Sequence, residues 1–138
     1  MYSNENFEEW QKSLKASLRG PAGTFVPKLW GAEVCMVNTP QYCGKVLYLF
    51  PGRFSSLHRH NVKDETFLVL EGEVLFESQI DEPEMQVTQL LTKGMFVRVW
   101  PGTWHRFRAL NAAAAVAEFS THHDDADTYR QEPSGIVE

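Results

Sequence analysis

Phe7, Trp10, Leu14 and Leu18 recur at intervals of three and four, separated by Glu, Gln, Lys and Ser. That period puts the apolar side chains on one stripe of a helix, which Gly20 and Pro21 are placed to stop. From Phe25 onward the helical period is lost. Short runs rich in Val, Leu, Phe and Thr alternate with Gly, Pro and Asn, which predicts strands near 33–37, 43–50, 53–60, 65–71, 73–80, 85–92, 94–100, 104–110 and 114–120. So many short strands at close spacing imply an all-β sandwich or jelly-roll barrel led by a short helix.

In the run Glu65-Thr66-Phe67-Leu68-Val69-Leu70-Glu71 both faces are apolar in the middle. One face belongs to the barrel interior, and the other needs a cover: the helix, another sheet or a second subunit, so a homodimer is expected. The chain divides into a helix and linker (1–24), a barrel (25–121) and a polar tail (122–138) that packs on the barrel or on a partner.

The 138 residues suit a single domain, and a net charge of -5 lacks the basic face that nucleic-acid binding requires. Cys35 and Cys43 are too few for a disulfide framework and are expected as free, partly buried thiols. Met1 to Asn6 is polar, and no stretch approaches the ~18 apolar residues of a membrane span. The expectation is a cytoplasmic protein with a small-molecule partner and neither nucleic acid nor membrane.

His58 and His60 are separated by one residue, so in a strand both face the same way while Arg59 faces the other. Glu65 opens the next strand, and His105 follows the Pro101-Gly102 turn at the head of another. His58, His60, Glu65 and His105 together predict one divalent ion, with positions left open for substrate oxygens as in a catalytic site. Three histidines and one carboxylate suit Mn2+, Zn2+, Fe2+, Co2+ or Ni2+ alike, and Mn2+ is the ion expected. His122 and His123, adjacent in an acidic tail, read as solvated residues or a subunit contact rather than ligands.

Gly52, His58, His60, Glu65 and Gly72 match the first cupin motif, G-x5-H-x-H-x4-E-x6-G, without a gap. Gly94, Gly102 and His105 match the second, with Pro101 displaced by one and Ala109 in place of Asn. The chain therefore resembles a cupin. Two further stretches, Lys28 to Glu33 with Asn38, Tyr42 and Lys45, and Glu118 to His123 with Asp127, Tyr129 and Arg130, are similar to metal-dependent sugar isomerase cupins of the D-lyxose isomerase type.

That resemblance implies aldose–ketose isomerisation of a small sugar of D-lyxose or D-mannose type through a cis-enediolate. Glu118, the one ionisable group in the small apolar run 114–120, is the expected base, and Lys45 beside the apolar run 46–50 is expected in catalysis. Lys63 is a candidate for substrate oxygens, although a loop lysine is equally consistent with simple solvation. Arg59, Arg106 and Arg108 alternate with inward residues and turn away from the cavity, which favours an unphosphorylated sugar. The competing readings are an iron-dependent cupin dioxygenase and a non-catalytic metal- or sugar-binding cupin.

Overall fold

A computed structural model describes residues 4–20, 24–79 and 85–137, so Pro21 and Ile80, which figured in the expected helix stop and strand, lie outside the described residues. In chain order the elements are α1 (Asn4–Ser17), β1 (Phe25–Lys28), β2 (Gly31–Asn38), β3 (Cys43–Leu49), β4 (Arg53–Phe54), β5 (Leu57–Arg59) and β6 (Glu65–Glu71). They continue with β7 (Glu73–Gln79), β8 (Gln86–Thr92), β9 (Phe96–Val99), β10 (Trp104–Ala109) and β11 (Ala114–Ser120). A 3-10 turn (Asp125–Asp127), β12 (Tyr129–Glu132) and β13 (Gly135–Ile136) complete the chain.

One sheet runs β1-β2-β3-β11-β6-β9. In the other, β10 is central: β4 and β5 pair with one edge, β7 and then β8 follow on the opposite edge, and β12 and β13 extend β5 and β4. All pairings are antiparallel, as a jelly roll requires.

Register decides where the chemistry sits. Along β6 the inward residues are Glu65, Phe67 and Val69; along β10 they are His105, Phe107 and Ala109; along β11 they are Ala114, Val116 and Glu118. Glu118 lies opposite Lys45 on β3 and opposite Phe67 on β6, whereas Val116 lies opposite Leu47 and Val69. Each inward row thus changes from apolar to ionisable at the same end of the barrel. The apolar end is packed by Leu47, Leu49, Phe67, Val69, Phe76 and Phe107 among others, and burial of such side chains is the main term favouring the fold.

Gly72 joins β6 to β7 with φ 81°, and a Cβ there would meet the Ala113 carbonyl oxygen at 2.8 Å, so both conformation and space demand glycine. The helix docks at the barrel end rather than over a sheet face. Phe7 is buried edge-on against Phe50 at 5.2 Å, and Gln11 Nε2 donates to the carbonyls of Lys28 and Gly31.

Three features depart from the expected pattern, the first being β1, which precedes the first expected strand. The strand expected over 53–60 is broken at Ser55-Ser56 into β4 and β5. There the Ser55 N–H donates to the Phe107 carbonyl while its hydroxyl accepts the Phe107 N–H, so a side chain replaces part of the ladder. The tail is also not merely polar chain: β12 and β13 pair with β5 and β4. Their residues are largely exposed, so no apolar alternation announces them.

Candidate metal centre

β5 and β10 place His58 and His105 directly opposite one another, and antiparallel partners project to the same face. His60 follows at the end of β5. The Pro101-Gly102 turn, with φ 86° at Gly102, brings the Gly102 N–H to the His60 carbonyl at 2.6 Å and so ties the His105 strand to the other two histidines. One nitrogen from each of His58, His60 and His105 lies within 4.8 Å of the others.

Each imidazole is oriented through Nδ1. The acceptors are the carbonyls of Ser56 for His58 at 2.9 Å, Asp127 for His60 at 3.0 Å and Thr103 for His105 at 2.9 Å. Because a carbonyl only accepts, Nδ1 carries the proton in all three rings, and a neutral ring then presents its Nε2 lone pair. Burial, with His105 adding to it, pushes the His58 imidazole down to about 3, and burial likewise lowers His60. Neutral imidazole is the form that binds metal.

Glu65 lies beside two of the three, with Oε1 3.5 Å from His60 Nε2 and Oε2 3.3 Å from His105 Nε2, although the group whose ligand atoms all lie within 4.8 Å of one another is the His triad alone. Burial pushes its carboxyl up, but His105, Lys63 and His60 together pull it below the usual carboxylate range. Glu65 Oε2 and His105 Nε2 are buried with no hydrogen-bond partner among the described residues. With His105 neutral, its Nε2 lone pair faces that oxygen, and the two repel unless a cation lies between them. This donor set fits a divalent transition-metal ion, and the His triad could hold one.

The same cavity, of about 420 Å³, brings in the other expected residues. Lys63 is not a solvated loop lysine: it is 3% exposed, and its ammonium meets Glu118 Oε2 at 2.7 Å, Glu65 Oε1 at 3.2 Å and His123 Nδ1 at 2.9 Å. Glu118, 4% exposed, also accepts the Ser120 hydroxyl on Oε2, so its Oε1 has no partner among the described residues. Lys45 is buried and paired with Glu33 at 2.5 Å. Cys35 and Cys43 are free thiols, half-buried and buried respectively.

Arg59, Arg106 and Arg108 do turn away from this cavity. Arg59 lies over the rings of Trp104 and Tyr129, and Arg106 pairs with Glu77 and Glu132. His122 is exposed, but His123 departs from the expectation of a solvated tail. Its Nε2 donates to Asp125 at 2.8 Å while Nδ1 accepts from Lys63, which commits both ring nitrogens and leaves none for a metal. Glu33, His123, Asp125, Asp127 and Arg130 are the neighbours that sequence reasoning did not place. All but Glu33 sit on the tail, which was expected to pack on the barrel or on a partner but whose period and composition do not say which of its residues meet the cavity.

A family model described as a cupin domain matches residues 46–120. The chain belongs to the cupins. Among curated proteins this cupin is 35% identical to a D-lyxose/D-mannose isomerase from Thermosediminibacter oceani, in a match covering 70% of this chain. The chain spans 65% of that relative's length.

Among solved structures the cupin superposes on the capsular polysaccharide assembling protein CapF from Staphylococcus aureus with a TM-score of 0.70 at 18% identity, over 90% of this chain and 34% of that one. It matches Bacillus subtilis oxalate decarboxylase with a TM-score of 0.70 at 16% identity, over 78% and 30% of the two chains. KdgF from Halomonas sp. gives 0.59 at 20% identity, over 69% and 81%. At these identities the likenesses show the fold.

Proposed function

We propose that this cupin is a divalent-metal-dependent aldose–ketose isomerase acting on a small sugar of D-lyxose or D-mannose type, with manganese as its ion and two copies of the chain in the assembly. The observation that carries this reading is the Lys63 bridge, which joins a carboxylate beside the His triad, Glu65, to a second buried carboxylate in the same cavity, Glu118. The 35% identity to a D-lyxose/D-mannose isomerase supports the choice of reaction.

Moving a proton between C2 and C1 requires a base within reach of a carbon-bound hydrogen, and positive groups near the oxygens on which charge builds. Glu118 supplies the base. Lys63 and Ser120 hold its Oε2, so Oε1 takes the proton from C2 and returns it to C1, while the hydroxyl proton of O2 passes to O1. Lys63 and Lys45 donate to the substrate oxygens, each kept in place by a carboxylate partner. An ion held by His58, His60, Glu65 and His105 supplies Lewis-acid polarisation of the carbonyl oxygen.

The test is incubation of the manganese-loaded protein with a panel of aldoses in deuterated water. Ketose formation with deuterium entering C2 of the recovered aldose is expected, slowed by roughly 10²- to 10⁴-fold in Glu118→Gln with manganese still bound. No ketose and no deuterium with any sugar rejects the isomerase. Oxygen uptake by the iron-loaded protein would assign dioxygenase chemistry instead.

A further inference from the structure

Arg130 lies on β12 directly opposite His58 on β5. Register partners across an antiparallel pair project to the same face, so Arg130 faces the cavity alongside a residue of the His triad. Its neighbour obeys the same rule in the other direction: Tyr129 lies opposite Arg59, and those two side chains meet on the outer face. The register shift in β12 comes after Arg130 and leaves its phase intact. Arg130 lines the cavity and is exposed, which puts it at the mouth.

The other cations lining the cavity are committed. Lys28 and Lys45 share Glu33, and Lys63 is shared between Glu65 and Glu118. The acidic side chains near it in sequence are engaged elsewhere: Glu132 by Arg106, Asp127 by the N–H groups of Asn61, Val62 and Lys63, and Asp125 by His123. Arg130 has no carboxylate partner among the described residues. A guanidinium offers five donors in a planar fork and no acceptor, a geometry that matches a carboxylate or a phosphate in a bidentate pair.

An aldose whose C1 and C2 oxygens face the triad carries its far end toward this mouth. We infer that Arg130 binds an anionic group, carboxylate or phosphate, at the far end of the sugar, so that the preferred substrate is a uronate or a sugar phosphate rather than a neutral aldose. The inference rests on the isomerase reading for the reaction, but not for the binding. It also departs from the expectation of an unphosphorylated sugar, which rested on three arginines that do turn away from this cavity and did not consider the one that turns in.

Two arms test it on the metal-loaded protein. In the first, kcat/KM is measured for D-mannose, D-mannose 6-phosphate and D-mannuronate, and the ratio of the better anionic sugar to D-mannose is compared between wild type and Arg130→Gln. That ratio is expected to exceed about ten in wild type and to fall by roughly ten- to a hundredfold in the variant, the range for a charge-assisted bidentate contact. Preference for the phosphate or for the uronate identifies the group, and Arg130→Lys recovers only part of it. A ratio near one, or one the substitution leaves unchanged, overturns the inference.

In the second arm, calorimetry compares D-mannitol, D-mannitol 1-phosphate and D-mannonate, none of which can isomerise. One anion should bind more tightly than the polyol, and Arg130→Gln should erase the difference. If no sugar is isomerised, the reaction reading falls and this arm still decides Arg130: equal affinity for all three overturns it.

Discussion

The main-chain oxygen of Asp127 accepts the Nδ1 proton of His60 at 3.0 Å. The carboxylate of the same residue accepts the N–H groups of Asn61, Val62 and Lys63 at 3.0 to 3.3 Å. Burial pushes that carboxyl up, but the three backbone donors hold it below its ordinary value. The tail therefore does two things at once. It fixes the tautomer of one imidazole, and it shapes the loop that carries the chain from His60 to Lys63 and Glu65.

Asp127→Ala should therefore weaken metal binding without removing a ligand. Groups that orient ligands from behind typically account for 10- to 100-fold in affinity, and a loss in that range is expected from competition titration against a chromophoric chelator. Asp127→Asn keeps an acceptor and should lose less. Affinity unchanged in both variants would mean that other contacts set the loop.

The first cupin motif was legible because its geometry is local. In His58-Arg59-His60 the pleat alone decides which side chains converge, and Glu65 follows within one turn. Glu118 was legible as an acid in an otherwise small, apolar strand. Lys63 was legible as a candidate for substrate oxygens but its burial was not, since that depends on Glu118, a strand distant in sequence, and on His123 from the tail. Asp127 and Arg130 belong to the stretch that resembles sugar isomerase cupins, but no role was legible for either. Their placement follows from the pairing of β12 with β5, an edge pairing made by backbone hydrogen bonds that leave no trace in side-chain hydrophobicity.

Glu33 and Lys45 give a stability dependence with two limits. Burial pushes the Glu33 carboxyl up, and Lys45 and Lys28 overcome it, so the group ends below its ordinary 4.5. Its contribution is complete above about 4.5 and is lost as pH falls further, through the depressed native value. Burial pushes the Lys45 amine down, and Glu33 more than compensates, so it ends above 10.5. That contribution is complete below 10.5 and is lost as pH rises through the elevated native value. Glu33→Gln leaves Lys45 buried without its close partner, which should cost about 3 kcal/mol at pH 7. Urea unfolding from pH 7 to pH 3 should also show a shallower acid loss in the variant, and identical acid slopes would remove Glu33 from the account.

The outer face of β6, β9 and β11 remains uncovered because α1 docks at the barrel end. Leu68 lies opposite both Phe96 and Ala117, and Thr66 lies opposite both Phe119 and Arg98, so these side chains share that face. Phe96 is 73% exposed and Phe119 56%. A flat face with two exposed phenylalanines and a charged rim formed by Arg98 and Asp64 suits an isologous contact with a second copy of itself. The wild-type chain should therefore scatter light as a dimer at micromolar concentration. Phe96→Glu places a charge from each copy in the contact, where both must be desolvated, and should yield a folded monomer with an unchanged far-ultraviolet circular dichroism spectrum. Wild-type protein that stays monomeric at several hundred micromolar would leave this face without a partner copy and end the dimer reading.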